Sequence, residues 1–287
     1  MIMIELPLIG LPGTLVWSAP DAPAALTRAP MPLGIGPAHS MTGQVRSYRL
    51  ESLVPGEWVQ SMGHHGRSCY LGTDGTSHYF AKGVGWTIGT GWTPEHGNTG
   101  ILPLWAALRE RDVGQAVAAL GIAVSSPVAI WELSAVPGPR GTLVAASDVP
   151  DLDGSPARPS VFIYRSRERW RLADLPFMGV SERASVRDRF WDIIETLRQS
   201  VRVLHAHGGH DYSISLHNAW IDGARVDFEY VYLPQQPHPV AALNGNFASW
   251  QSKERFALHE LIFQLADLAG VEISADALAE RRARMIP

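Results

Sequence analysis

The segment from His210 to Tyr230 carries the pattern that most restricts the fold of this chain. Asn218 precedes a short apolar run, Asp222 and Gly223 follow as a turn signal, and a second run ends at Asp227. An Asp-Gly pair between two such runs predicts a β-hairpin. Pairing of its strands would bring the Asn218 amide and the Asp227 carboxylate together, and oxygen ligands of this kind suit Mg²⁺.

An ordinary hairpin is the alternative explanation of this segment. In that case Asn218 caps the turn and Asp227 is a solvated carboxylate, with no metal involved. Motifs this short often match by chance. Evidence for a metal site must therefore come from the rest of the chain.

Composition places the chain among globular proteins and excludes several classes of function. The 287 residues are enough for one large domain or two lobes, and they are 46% hydrophobic but only 18% charged. The net charge of −4, without a Lys/Arg run interleaved with aromatic residues, argues against a nucleic-acid partner. A single cysteine, and no apolar run as long as a membrane span, predict a cytoplasmic chain without a membrane partner.

Residues 1–60 show little hydrophobic periodicity and are rich in proline. The first 17 residues are apolar, but Glu5, Pro7 and Pro12 interrupt them and no basic region precedes them. They therefore predict a packed strand rather than a signal peptide. We expect the remainder of residues 1–60 to form an extended arm over the core, without a role in the chemistry.

A second hairpin is predicted for residues 69–82, with its turn at 72–75 and Lys82 at the end of its second strand. Closely spaced glycines follow, beginning with Gly83 and Gly85. Glycine-rich backbone can approach a phosphate group closely and offer N–H donors to it. The spacing matches neither the P-loop nor the dinucleotide-binding fingerprint, so these glycines also fit a flexible loop.

Residues 103–120 form the clearest predicted helix of the N-terminal half, because Pro103 occupies a first-turn position and Gly121 a C-terminal cap position. Glu110 lies in the middle of this helix. A solvated carboxylate is the ordinary explanation of such a residue. The alternative is an ion pair with Lys82, as in nucleotide sites where a strand lysine pairs with a helix glutamate.

The remaining pattern predicts a change from strands to helices near residue 150. Apolar runs predict strands before and just after that point, and longer amphipathic helices follow. We therefore expect a β-rich N-terminal lobe over residues 1–150 and a mostly helical C-terminal lobe over residues 151–287. The predicted strands are 124–135, 141–147 and 160–164, and the predicted helices are 182–207, 252–269 and 275–284.

Four segments of the chain resemble motifs of the selenoprotein O family. Asn218 and Asp227 keep the nine-residue step that separates the corresponding residues of the family. The resemblance covers about residues 60–235. Residues 81–87 (AKGVGWT) are similar to the family's L-K-G-x-G-x-T-P segment, and residues 106–122 (AALRERDVGQAVAALGI) to its Arg-Glu helix. Residues 162–165 (FIYR) are similar to its V-x-R strand, and residues 211–229 to its catalytic loop with the metal hairpin.

The resemblance implies an α+β, bilobal, protein-kinase-like fold and a transfer of AMP from ATP to a hydroxyl acceptor. The acceptor would be a protein Ser, Thr or Tyr or a small molecule, and ATP with Mg²⁺ or Mn²⁺ would be the cofactor. Asn218 and Asp227 would bind the metal. The implied nucleotide-binding residues are Lys82, Gly83, Gly85, Arg109, Glu110 and Arg165.

The chain departs from this family at residues important for catalysis. His217 stands where the family has its catalytic-loop aspartate, Asp211 where it has the leading histidine, and Glu229 where it has a glycine. An unperturbed imidazole, with a pKa of about 6.5, can accept a hydroxyl proton near neutral pH, so His217 is a candidate catalytic base. Asp211 is the second candidate, provided that its carboxylate folds back into the site.

Three other interpretations stay open. The chain could be a kinase-like phosphotransferase acting on a small molecule, or an inactive nucleotide-binding protein that acts through a partner protein. A zinc hydrolase is the third, because His205, His207, His210 and His217 lie near the hairpin. Since His205 and His207 are two residues apart on a helix, they point away from each other, and zinc is the weakest of the three.

Overall fold

The computed structural model describes residues 3–28, 31–34, 40–42, 49–53, 58–62, 68–83, 101–137, 143–149, 158–239, 244 and 247–274. The chain divides into two compact units. Unit 1 comprises Met1–Asp112 and Ser126–Arg167, and unit 2 comprises Val113–Ser125 and Glu168–Pro287. The chain therefore changes from one unit to the other at three points, after Asp112, after Ser125 and after Arg167, whereas a single boundary was expected at residue 150.

The fold is mixed α and β, with one large antiparallel sheet and several helices. The strands of the described residues are Met3–Leu11 (β1), Gly13–Ser18 (β2), Met31–Gly34 (β3), Ser40–Thr42 (β4), Trp58–Met62 (β5), Ser68–Thr73 (β6), His78–Lys82 (β7), Leu102–Pro103 (β8), Ser126–Leu133 (β9), Ala135–Pro137 (β10), Leu143–Ala145 (β11), Pro159–Ser166 (β12), His210–Asp211 (β13) and Val231–Tyr232 (β14). The helices are Leu104–Ala119 (α1), Val180–Asp188 (α2), Phe190–Ala206 (α3) and Phe247–Ala269 (α4).

The large sheet of unit 1 has the strand order β2-β9-β12-β7-β6-β5-β1-β3, with β4 paired to β1 and β8 paired to β12. The predicted hairpin of residues 69–82 is confirmed as β6 and β7. The other neighbour of β7 is β12, where Phe162 lies opposite Lys82. This pairing explains why β12 belongs to unit 1, although it follows residue 150.

Two layers of side chains alternate along the central strands of this sheet, as the period of a β-strand requires. One face contributes Tyr79 and Ala81 of β7, with Val161 and Ile163 of β12, to the main core of unit 1. The other face carries the stacked rings of Phe80, Phe162 and Tyr164. Lys82 lies on this aromatic face, because it is opposite Phe162 and two residues from Phe80.

The extended arm expected over residues 1–60 is wrong, whereas the packed strand expected over the first 17 residues is confirmed in part, because it is divided at Pro12 into β1 and β2. Strands β1 to β5 all pair within the large sheet. Leu8, Leu11 and Leu26 are buried in its core. The strands were hard to recognise because most are short, and because β1 and β3 each contain a proline. Pro32, for example, lies in β3, an end strand of the sheet order, where a missing N–H is tolerated.

The predicted helix at 103–120 is confirmed as α1, and Gly121 has the left-handed φ of +83° that a C-terminal cap requires. The long helix expected at 182–207 is divided into α2 and α3 at Arg189, whose φ and ψ of −97° and 10° are not helical. Helix α4 begins at Phe247, before the expected start at Ser252. The helix predicted for 275–284 lies outside the described residues.

The strands predicted at 124–135 and 141–147 form only in part. The first becomes β9 of the large sheet and continues into β10, and β10 pairs with β11 in a separate two-stranded sheet. The strand predicted at 160–164 is confirmed as β12. Among the described residues, no helix combines the length and apolarity needed to cross a membrane.

Gly83, directly after Lys82, should tolerate no side chain. Its φ is +92°, and an added Cβ would lie 2.4 Å from the Ser160 carbonyl oxygen and 2.7 Å from Leu102 Cβ. We expect Gly83→Ala to lower the free energy of unfolding of unit 1 by roughly 2–4 kcal/mol, because steric overlap adds to backbone strain. Urea unfolding followed by tryptophan fluorescence measures this loss.

Gly75→Ala is the matched control, since Gly75 has a φ of +96° but an added Cβ would meet only the flexible end of Arg49, at 3.3 Å. Its cost should be about 1 kcal/mol, from the backbone conformation alone. Equal losses for the two variants would contradict the close approach of β8 and β12 to Gly83.

Candidate functional site

A buried ion pair joins the end of β7 to helix α1 within unit 1. The Lys82 ammonium donates a hydrogen bond of 2.6 Å to Glu110 Oε2, and the two residues are 4% and 2% exposed. The predicted pair of Lys82 and Glu110 is therefore confirmed. The alternative, a solvated carboxylate at Glu110, is wrong.

This ion pair is costly to bury, because both charges lose their hydration. A chain that needed only stability could place apolar side chains at these positions, often with equal or better stability. Buried, paired ionisable groups are more frequent at functional sites. We therefore regard Lys82 and Glu110 as a candidate site and not as a packing contact alone.

The other nucleotide-binding residues predicted near Lys82 have different outcomes. Gly83 contacts β12 and β8 through its bare backbone, as described above. Arg109 is half-buried on α1 beside Glu110. Gly85 lies outside the described residues. The nucleotide-binding roles of these residues stay predictions.

Arg165 does not join Lys82. It lies opposite Tyr79 in the register of β12 and β7, and strand alternation puts it on the core face of the sheet, away from the aromatic face with Lys82. Its guanidinium donates to Asp21 Oδ2 at 2.6 Å, and this hydrogen bond lowers the pKa of Asp21. The expectation that Arg165 and Lys82 share one nucleotide site is therefore not met within unit 1.

The predicted hairpin that follows Asn218 is present in unit 2. Val226 N–H donates to the Asn218 carbonyl at 3.1 Å, and Trp220 N–H donates to the Ala224 carbonyl at 2.9 Å. The turn comprises residues 220–223, one position earlier than expected, and Gly223 closes it with a φ of +84°. The strands are reduced to isolated bridges, so the segment is a tight turn more than a regular hairpin.

Asp227 has an unusual backbone conformation at the end of this hairpin. Its φ is 69°, and it is the one non-glycine residue of the described chain with a positive φ. Aspartate tolerates this region better than most residues, but the conformation still costs energy and is concentrated at functional sites. The structure therefore marks Asp227 independently of the sequence motif.

Glu229 is a candidate ligand that the sequence analysis did not assign. One carboxylate oxygen of Glu229 lies within 4.8 Å of one of Asp227, close enough for both to bind one cation. Phe228 between them is buried with Leu204 and Val231. The sequence carried no signal for this arrangement, because Asp227 has a left-handed backbone conformation and Glu229 lies in a turn, so strand alternation does not apply to them.

Asn218 presents its amide with the oxygen available. Its Nδ2 donates to the Ser213 carbonyl at 2.8 Å, and among the described residues nothing donates a hydrogen bond to its Oδ1. The preceding residue, His217, is exposed, and its backbone carbonyl accepts a hydrogen bond of 2.8 Å from Arg171. The carboxylates of Asp227 and Glu229, with the predicted ligand Asn218, are the candidate donor set of unit 2, and oxygen ligands of this kind suit a hard cation such as Mg²⁺. That Asn218 Oδ1 joins the two carboxylates stays a prediction.

Asp211 is held by structural contacts. Its Oδ2 accepts a hydrogen bond from the buried guanidinium of Arg225, and its Oδ1 accepts from the Ser213 N–H and hydroxyl at 2.6 and 2.8 Å. Both oxygens of the carboxylate are therefore engaged inside unit 2. The structure gives Asp211 a role in holding the loop, and its catalytic role stays a prediction.

The histidines near the hairpin have separate environments. His205 Nε2 lies 2.6 Å from the Glu254 carboxylate, and His210 is buried among the rings of Tyr212 and Tyr232. Within the part of the chain that the structure describes, no group of three potential metal ligands includes a histidine. The zinc hydrolase interpretation therefore receives no support from these residues.

Comparison with known proteins adds no family assignment. The chain matches no protein-family model and no curated protein. The resemblance to the selenoprotein O family therefore depends on the motif residues alone.

Removing one member of the buried pair should be more damaging than removing both. We expect Lys82→Met or Glu110→Leu to lower the free energy of unfolding of unit 1 by about 3–5 kcal/mol, because each leaves its buried charged partner uncompensated. The double variant Lys82→Met/Glu110→Leu should recover most of that loss. Denaturant unfolding of the three variants measures the coupling.

The exposed pair of Arg158 and Glu132 is the control in the same unit. Arg158 Nε lies 2.6 Å from Glu132 Oε1, but its side chain is 67% exposed. Arg158→Met should therefore cost no more than about 1 kcal/mol. A Lys82→Met variant as stable as Arg158→Met would show that the buried pair has no special energetic role.

Proposed function

We propose that this chain is an ATP-dependent transferase of kinase-like fold, which moves AMP to a hydroxyl acceptor with the help of Mg²⁺. The observation that carries the proposal is the buried ion pair between Lys82 and Glu110. In kinase-type nucleotide sites, a strand lysine held by a helix glutamate faces the phosphates of ATP.

The order of elements around this pair supports the kinase-like fold. The lysine strand β7 is followed by α1 with its glutamate, and then by β9 and β12, of which β12 returns to the side of β7. Such a nucleotide site requires a strand that carries the lysine, then a helix that carries the glutamate, then further strands of the same sheet. The division of the chain into two compact units agrees with a bilobal protein.

The donor set of unit 2 supports the metal. The carboxylates of Asp227 and Glu229 lie close enough to bind one cation, and with the predicted ligand Asn218 they are oxygen ligands of the kind that Mg²⁺ prefers. When bound, the cation would neutralise charge on the nucleotide phosphates. The hairpin would fix the position of the ligands that hold the cation.

His217 is the residue to which we assign proton transfer. It directly precedes Asn218, it is exposed, and its backbone is fixed by Arg171. An imidazole in such a position can take the proton from an acceptor hydroxyl as it attacks. Asp211, the other candidate, has both oxygens engaged, so His217 is preferred.

Transfer of phosphate is the second candidate function, and Arg165 favours it. The resemblance assigns Arg165 to the nucleotide of an AMP-transferring site, but here Arg165 is paired with Asp21. Without that arginine at the nucleotide, ATP would be oriented as in a kinase, with its γ-phosphate toward the acceptor. The acceptor would then be a small molecule, as in the phosphotransferase alternative.

Radiolabelled ATP distinguishes these functions. Label transferred to an acceptor from the α-phosphate position indicates AMP transfer, whereas label transferred from the γ-position indicates phosphate transfer. Either product should be lost in Lys82→Met. Saturable ATP binding without a labelled product would instead indicate the inactive nucleotide-binding protein, and no ATP binding would contradict the proposal.

Asp227→Asn should weaken Mg²⁺-dependent ATP binding by at least about tenfold, since substitution of even an outer-shell partner of a bound metal commonly costs 10–100-fold. Asparagine keeps the side-chain shape and tolerates the positive φ, so the fold should be retained. Isothermal titration with ATP, with and without Mg²⁺, measures the effect. Asp222→Asn, which keeps the oxygen that accepts from the Ala224 N–H in the turn of the same hairpin, should leave the Mg²⁺ dependence unchanged.

His217→Ala should reduce the turnover rate by about 10²–10⁴-fold if the imidazole is the base, with little change in ATP affinity. His217→Asp restores a carboxylate at this position and should recover much of the rate. Steady-state turnover with the identified acceptor measures both variants. An alanine variant as active as the parent would remove the base assignment while leaving the nucleotide site.

A further inference from the structure

A buried polar network in unit 2 connects helix α4 to the loop before the hairpin. Glu254 of α4 is 2% exposed, and its Oε1 accepts a hydrogen bond of 3.1 Å from the Asp211 backbone N–H. Its Oε2 lies 2.6 Å from His205 Nε2 on α3. Each oxygen of the carboxylate thus contacts a different element.

The same network reaches the return strand of the hairpin through Arg225. Its guanidinium donates to the Asp211 carboxylate and, at 3.2 Å, to the Ser200 hydroxyl. The Arg225 backbone is also paired, because its N–H donates to the Ala123 carbonyl and its carbonyl accepts from Ser125 N–H. Arg225 lies two residues before Asp227. Because its backbone and its side chain are both held, Arg225 fixes the position of the backbone that leads into Asp227.

The charges of the network explain why Glu254 matters. Burial raises the pKa of Glu254, and the hydrogen bond and charge of His205 act against that rise. The charge of Arg225 acts in the same direction as His205. Since a buried polar group needs hydrogen-bond partners, the positions of the Glu254 carboxylate, the His205 ring and the Asp211 backbone depend on one another.

We propose that Glu254 is a positioning residue for the metal hairpin. Its carboxylate holds the Asp211 backbone, Asp211 holds Arg225, and Arg225 sets the segment that carries Asp227. The claim that this positioning serves a metal site rests on the proposed function. The positioning itself can be measured without any activity.

Hydrogen exchange of individual amides tests the positioning. In Glu254→Ala, the Trp220, Gly223 and Val226 amides, which close the hairpin, should exchange about tenfold faster or more, while amides in the middle of α3 keep their rates. Glu254→Gln can still accept from the Asp211 N–H and pair with His205, so it should restore slow exchange. Glu260→Ala, on the exposed face of α4, is the control and should exchange like the parent chain.

Mn²⁺ binding, measured by electron paramagnetic resonance on the same variants, provides the second readout. The Mn²⁺ affinity should fall at least about tenfold in Glu254→Ala and recover in Glu254→Gln. If Glu254 only stabilises the fold, amides throughout α3 and α4 should exchange faster in Glu254→Ala. That result would overturn the inference. Should Glu254→Ala fail to fold, Glu254→Met keeps a side chain of similar length but removes both carboxylate oxygens, and parent-like exchange of the hairpin amides in that variant would also overturn the inference.

The outcomes separate this inference from the proposed function. Parent protein that binds Mn²⁺ and ATP, combined with unchanged hairpin exchange in Glu254→Ala, overturns the positioning role but leaves the function. Parent protein that binds neither, combined with faster hairpin exchange in Glu254→Ala, removes the function and supports the positioning role.

Discussion

The structure of unit 1 depends on one buried ion pair, between Lys82 at the end of β7 and Glu110 on α1. The two residues are 28 positions apart in the chain, so the pair holds a helix against a sheet and not against its own sequence neighbours. Both charges lose their hydration there, and removal of either one leaves the other as an uncompensated buried charge. The pair therefore fixes where α1 meets the aromatic face of the sheet, which is also where we place nucleotide binding.

Unit 2 also contains a buried ion pair, and there it holds a loop in place. The buried guanidinium of Arg225 and the carboxylate of Asp211 close the loop that contains His217 and Asn218. Glu254 then ties the start of this loop to α3 and α4 through two hydrogen bonds. A short hairpin with isolated bridges has little stability of its own. Its precision as a metal site would have to come from this surrounding network.

The function we propose combines these two features with a resemblance that the structure modifies in one respect. Lys82 and Glu110 are paired as a kinase-type nucleotide site requires, and Asp227 and Glu229 have their carboxylates close together. Arg165 is instead engaged by Asp21 on the other face of the sheet. The choice between AMP and phosphate transfer therefore turns on how the phosphates of ATP are oriented, and not on whether Lys82 is available.

Local sequence patterns were sufficient for α1, for the Lys82 hairpin and for the turn after Asn218, because capping residues, turn residues and periodicity act over a few neighbouring residues. They also identified Lys82, Glu110, Asn218 and Asp227 as candidates. Tertiary structure alone decided that residues 1–60 supply sheet strands, that Arg165 faces Asp21, that Asp211 pairs with Arg225, and that Glu229 joins Asp227. Each of these depends on strand register or on contacts between distant segments. Such contacts are set by the packing of the whole unit, because a single step in register reverses the face on which a side chain lies.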